Sequence, residues 1–260
     1  MELLRRTTRK VTLTIAGQEF FDSCSKGLVD ISEAEERIRG SRGAPQGTLR
    51  VQLPQAFGRL HVAPHIPEFL KRYPEIHLDL HFGPADFEGS QAFDVVVAST
   101  DPPHQGLAVR ALAPLERVTC ASSSYLQRFG RPQRFADLAK HNCLLFGPDD
   151  TKDAEWVLHE ERSIKRVRVS GSLRTDEAEV LYLAVIAGVG IAHLPTFVVE
   201  RALSTGDLVA LFRDRRGRTG AAMNAYFPQA HHRLAKVQVF IEFLASTMRK
   251  RRRVANSKTS

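Results

Sequence analysis

"GTLRVQLPQAFGRLHVAPHIPEFLKRYPEIHLDLHF" occupies residues 47–82 and carries one repeat of an alternating strand and helix pattern. Residues 48–54 read as a short strand, and 75–82 alternate apolar and polar residues strictly, as a strand does. Between them 56–74 reads as a helix. Leu60, Phe69 and Leu70 are its apolar residues, and Pro64 and Pro67 disturb its middle. Strand, helix and strand in that order make a βαβ unit with a right-handed crossover. Next comes "FDVVVAS" (93–99), a continuous apolar run suited to a parallel strand buried on both faces. The expected class is α/β.

The stretch "LAVRALAPLERVTCASSS" (107–124) is longer than one small sheet needs, and it reads as a strand crossing into a second lobe. A second strand–helix–strand set follows at 167–175, 176–188 and 189–195. Strands at 207–212 and 224–228 and a helix at 234–248 close the chain. The expected division is a first lobe of 48–113 with 197–248, and a second lobe of 114–196. Two α/β lobes joined by two crossings form a hinged pair. Small ligands bind in such clefts, at the carboxyl ends of strands and the N-termini of helices.

With 260 residues, 43% hydrophobic and 25% charged, the chain has the composition of a soluble globular protein. No run approaches the roughly 18 apolar residues of a membrane span, and no apolar segment follows the basic start as in a secretory signal. Cys24, Cys120 and Cys143 are odd in number and widely spaced, which fits a reducing cytoplasm better than a disulfide framework or zinc site. The net charge of +8 sits at the ends. Residues 249–260 hold six bases and no acid, residues 1–10 hold four bases against Glu2, and the body between is close to neutral. Any phosphate binding therefore belongs to the termini.

Arg5, Arg6, Arg9 and Lys10 crowd around Thr7 and Thr8, and a strand-like alternation (Val11, Leu13) follows. Thr14 suits the N-cap of a helix over 14–39. On that helix Phe21, Cys24, Leu28, Ile31 and Ile38 recur at steps near three and four, with Glu35 interrupting. One apolar stripe needs a partner: either the helix's own domain or a second copy of the chain. The second is preferred, because "GSRGAPQG" (40–47) reads as a hinge linker detaching the helix from the α/β body.

"LLRRTTRKVTLTIAGQEFF" resembles the wing and the start of the linker helix in LysR-type transcriptional regulators. The resemblance continues in family order through residues 47–82, "FDVVVAS", "AGVGIAHLP" and "AKVQVFIEFL". It implies a remnant wing (1–13), a linker and dimerisation helix (14–39), and a two-lobed effector domain of the periplasmic-binding-protein type. It implies a DNA-binding regulator that is not an enzyme and needs no cofactor. Its partners would be promoter DNA and a small-molecule effector, in a homodimer or homotetramer away from any membrane. In the family a helix-turn-helix precedes the position of Leu3. Its absence here leaves two explanations, a start assigned too late or a natural truncation, of which the first is preferred.

The resemblance makes Arg5, Arg6, Thr7, Thr8 and Arg9 the DNA contacts, the alternative being a solvated basic terminus. Arginine grips phosphate through a planar fork, and threonine hydroxyls add short hydrogen bonds. For the effector it points to the turn at Gln55, Ala56 and Phe57, where a helix start presents N–H groups to an anion. Many relatives have Ser or Thr at the position of Ala56. Ser99 and Thr100 end a strand at the cleft, and Thr175 and Asp176 face them from the second lobe. Asp176 is alternatively a helix cap, and Phe146 either walls the pocket or fills core. A small carboxylate suits these groups by analogy with relatives. No metal site is expected from the scattered histidines (His193, His231, His232). Cys120 and Cys143 are either buried packing or, if adjacent, a redox pair. The tail "RKRRR" (249–253) reads as a disordered, solvated charge run, with non-specific DNA clamping the minority alternative.

Overall fold

A computed structural model of the protein describes residues 2–6, 11–17, 19–21, 23–24, 27, 31, 45–87, 93–102, 106–147, 153–160, 163–212 and 218–257. The chain opens with a hairpin of β1 (Leu4–Arg6) and β2 (Val11–Leu13), in which Arg5 lies opposite Thr12 and Arg6 opposite Val11. Thr14 then caps a helix, α1, as its position suggests: its Oγ1 accepts from the backbone N–H of Gly17 at 3.0 Å. Every described position of α1 from 15 to 31 is helical. Along it Phe21, Cys24 and Ile31 are exposed, as are Ile15 and Phe20. Leu28 and Ile38 of the expected seam lie outside the described residues, as do Thr7, Thr8 and Arg9 of the expected DNA contacts.

The body is one nine-stranded sheet folded into two halves. In the first half β3 (Gly47–Leu53) pairs in parallel with β4 (Ile76–Phe82) and β5 (Val95–Ala98). Leu49, Val51 and Leu53 are fully buried, as the strand's apolar alternation requires. Gln52 is buried on the opposite face but satisfied. Its Nε2 donates to the Pro84 carbonyl and its Oε1 accepts from the Asp86 N–H, both at 2.8 Å, which fastens the loop after β4. The connecting segment is not one helix. A short α2 (Gln55–Phe57), a π turn (Gly58–Val62) and a 3₁₀ turn (Ala63–His65) lead to α3 (Ile66–Arg72). Pro64 has no N–H to continue the ladder, while Pro67 is tolerated in the first turn of α3, so the chain restarts there. Gly58 is required by close approach, since a Cβ would stand 2.6 Å from the Phe82 ring.

β6 (Leu107–Ser122) runs 16 residues and belongs to both halves. Its first part pairs antiparallel with β13 (Arg218–Pro228), which also borders β5. Its last part pairs with β11 (Ile191–Pro195) and β12 (Leu208–Leu211). β7 (Cys143–Phe146) and β10 (Arg174–Thr175) extend the second half in parallel. The return crossing differs from expectation. α6 (Thr196–Thr205) and β12 remain with the second lobe, where Val199, Ala202 and Leu208 enter its core, and the chain goes back only in β13. Residue 197 stands on α6, with its ring against the first lobe. The run 167–175 is also two strands. β9 (Ser163–Ser170) ends before Gly171 and forms a separate hairpin with β8 (Asp153–Glu160).

α7 (Ala235–Ser257) closes the first lobe. Val237, Phe240, Ile241, Phe243, Leu244, Ala245 and Met248 are its buried face, at helical spacing. The Phe69 ring meets Phe240 edge-on at 5.2 Å and Phe243 at 5.1 Å. Burying each such side chain contributes roughly 1.5–3 kcal/mol. The basic tail, expected to be disordered, continues α7 as helix to Ser257. Lys and Arg are good helix formers, and no Gly or Pro interrupts.

Candidate functional site

The two lobes touch where β3 gives way to α2. Ala56 packs against the second lobe's apolar cluster. The Phe57 ring lies edge-on to Phe197 of α6 at 5.9 Å, and His61 does the same at 4.8 Å. Arg59 Nη1 reaches Glu179 Oε2 at 2.7 Å, and Glu179 stands on α5 (Ala178–Ile186). The turn expected to greet an effector is therefore also the seam between lobes.

The other expected residues fall at the carboxyl ends of their strands. Ser99 and Thr100 follow β5 and are exposed. Phe146 ends β7 and is 38% exposed, so it walls open space rather than filling core. Thr175 lies opposite Phe146 in the sheet register. Its Oγ1 accepts from the Glu177 N–H at 3.0 Å, so this hydroxyl, and not the Asp176 carboxylate, bonds the turn that opens α5. Asp176 is exposed and makes no cap; the N-cap position is Glu177, whose side chain makes none either.

Beside Phe146 opens a pocket of about 350 Å³ lined by Arg117, Phe146, Ala154, Glu155, Trp156, Arg174 and His193. Every lining residue comes from the second lobe. β6 supplies Arg117, which lies opposite Pro195 at the end of β11, two residues before Phe197 of the seam. β10 supplies Arg174, five residues before Glu179, and the β8–β9 hairpin supplies Ala154, Glu155 and Trp156. The pocket thus sits at the carboxyl ends of β7, β10 and β11, next to the lobe contact.

Arg117 lies over the Phe146 ring, 5.3 Å from its centroid, and its Nη1 donates to the His193 carbonyl at 3.4 Å. Burial pushes this guanidinium below its ordinary pKa. His193 Nδ1 and the Thr119 hydroxyl share a hydrogen bond of 3.1 Å, and the imidazole tilts against Trp156 with ring centroids 5.8 Å apart. Burial first, and then the Arg117 charge, push His193 down to about 4, so it is neutral at physiological pH. Glu155 is engaged by Arg166 of β9, with Nη1 to Oε2 at 2.6 Å. Of the expected residues only Phe146 lines this pocket. Reading the sequence passed over Arg117, a lone base in the buried run "LERVTCA", and Trp156, the chain's single tryptophan.

The cysteines do not form a pair. β11 lies between their strands, with Ala192 opposite Cys120 and Ile191 opposite Cys143. Two strand spacings of about 4.8 Å put the Cα atoms roughly 10 Å apart, beyond the ~7 Å limit for a disulfide. Burial pushes both thiols up to about 12, so they pack as protonated apolar groups. Among the described residues no cluster of three His, Cys, Asp or Glu could hold a metal, and no helix is long and apolar enough to cross a membrane.

Two α/β halves on one folded sheet, with a ligand-sized pocket in the second half, define a two-lobed regulatory domain. The chain belongs to the LysR family: the LysR substrate binding domain matches residues 42–249. It is 30% identical to the probable HTH-type transcriptional regulator LtrA of Klebsiella pneumoniae, over 95% of this chain and 81% of that protein. It is 28% identical to the HTH-type transcriptional activator TtdR of Escherichia coli K12, over 96% and 80%. The structure of CrgA, a LysR-type regulator from Neisseria meningitidis, superposes with a TM-score of 0.71 at 26% identity, covering 95% of this chain and 84% of that one. The full-length Vibrio cholerae virulence activator AphB gives 0.69 at 26%, with the same coverage. These relatives are regulators of transcription, not enzymes, and LysR-type regulators bind promoter DNA and small effectors and form oligomers.

Proposed function

We propose that this protein is a transcriptional regulator whose DNA affinity is set by a small molecule held in the Arg117–His193 pocket and the adjoining lobe seam. One observation carries the reading. The pocket shares strands and turns with the contact between lobes, Arg117 through Pro195 to Phe197 and Arg174 through Thr175 to Glu179. A ligand that reaches from the pocket into the seam would meet different surroundings when the lobes shift, which would give it the differential affinity that coupling requires. Gln55, Ala56, Ser99 and Thr100 would meet the ligand from the first lobe. The hairpin bases Arg5 and Arg6, with Thr7, Thr8 and Arg9, would hold phosphate. α1, with Phe21 and Ile31 turned outward, would join two chains.

The test measures DNA affinity of the dimer against a set of small anionic metabolites. A ligand that stabilises the protein thermally should change DNA affinity by about 5- to 150-fold. DNA should change that ligand's affinity by the same factor. Thermal stabilisation with no effect on DNA binding in either direction would refute the coupling.

A further inference from the structure

The lining of the pocket specifies the chemistry of its occupant. Resting on the effector reading, we propose that the pocket binds a small aromatic carboxylate of one or two rings. The carboxylate would sit on Arg117 and the ring against Trp156 and Phe146.

Charge selects an anion. Arg117 is largely withdrawn from water, and among the described residues no carboxylate pairs with it. A guanidinium held that way is costly unless something anionic completes it. The lining's single carboxylate, Glu155, is drawn to Arg166, and His193 is neutral. Arg117 stands over the Phe146 ring with Nη1 on the His193 carbonyl, and its remaining N–H groups can grip a carboxylate.

Shape selects a flat ring. Phe146, the mostly buried Trp156 and His193 contribute aromatic rings to the lining, and aromatic pairs prefer the offset or edge-on contacts a planar guest can make. With the Nδ1 of His193 turned to Thr119, its Nε2 has no hydrogen-bond partner among the described residues and can serve a hydroxyl or ring substituent. The volume of about 350 Å³ is near the lower end of ligand pockets, which run roughly 300–1,000 Å³, and suits a small guest.

Trp156 is the only tryptophan, so its fluorescence reports this pocket alone. The full chain is titrated with benzoate and phenylacetate, with benzamide (same shape, no charge), and with cyclohexanecarboxylate (same charge, no flat ring). Benzoate or phenylacetate should change the emission saturably, and both comparison compounds should bind at least about tenfold more weakly. Arg117→Met should weaken the acid roughly 10- to 100-fold. Arg117→Lys, which keeps the charge but not the fork, should recover part of that, with circular dichroism showing both variants folded. Equal affinity for benzamide would overturn the proposal, as would undiminished binding by a folded Arg117→Met protein. Saturation by cyclohexanecarboxylate but by neither aromatic acid would overturn the aromatic class and leave the effector reading standing. An aromatic acid that binds at Trp156 without altering DNA affinity would support the ligand class and refute the effector reading. No emission change with any of the four compounds would overturn the proposal.

Discussion

Acidification should destabilise this protein through His193, and the size of the effect comes from the pocket. In the fold the imidazole titrates at about 4, against 6.5 for the unperturbed group, because burial and then Arg117 oppose its charge. Well above pH 6.5 it is neutral in both folded and unfolded chains and contributes nothing to the pH dependence. As pH falls from 6.5 toward 4 the unfolded chain takes up the proton and the folded chain does not, so stability drops. The full loss is on the order of 3 kcal/mol, of which about 2 kcal/mol should be gone by pH 5. Other groups titrate in the same range, so the measurement is a difference. Urea unfolding of the native protein and of His193→Gln is compared at pH 7, 6, 5 and 4.5. The native protein should lose stability relative to the variant as pH falls. Parallel curves, or a native protein that gains on the variant, would refute the placement of a neutral, buried imidazole beside Arg117. In Arg117→Met the slope should be shallower, since one of the two causes is removed.

Gly171→Ala should destabilise the second lobe by about 3 kcal/mol, seen as a lower urea midpoint in Trp156 emission, because a Cβ there overlaps the Cys143 carbonyl. Replacing Leu28 and Ile31 together with Asp should give a monomer by sedimentation, since desolvating two carboxylates in an apolar seam costs several kcal/mol. A dimer that survives both changes would place the contact elsewhere.

The α/β class, the shared crossing strand and the capped helix after a basic hairpin were legible in the sequence because each rests on local signals. Period-2 alternation marks β4, an unbroken apolar run marks β5, and a hydroxyl at Thr14 marks a helix start. The family was legible too, from ordered motifs over nearly the whole chain. The site was legible only in part. Phe146 and Thr175 stand at strand ends, which a linear reading can find. Arg117, Arg174, Trp156 and His193 are separated by up to 76 positions and meet only because β11 pairs with β6 and the β8–β9 hairpin folds over them. Tertiary packing also assigned α6 and β12 to the second lobe and put Thr175, not Asp176, on the turn before α5, and strand order kept Cys120 from Cys143 by one intervening strand. Local propensity is written in neighbouring residues, so the order of residues was enough to say which segments become strands and helices. Which side chains share a pocket depends on sheet order and register, interactions between distant residues that carry no mark along the chain.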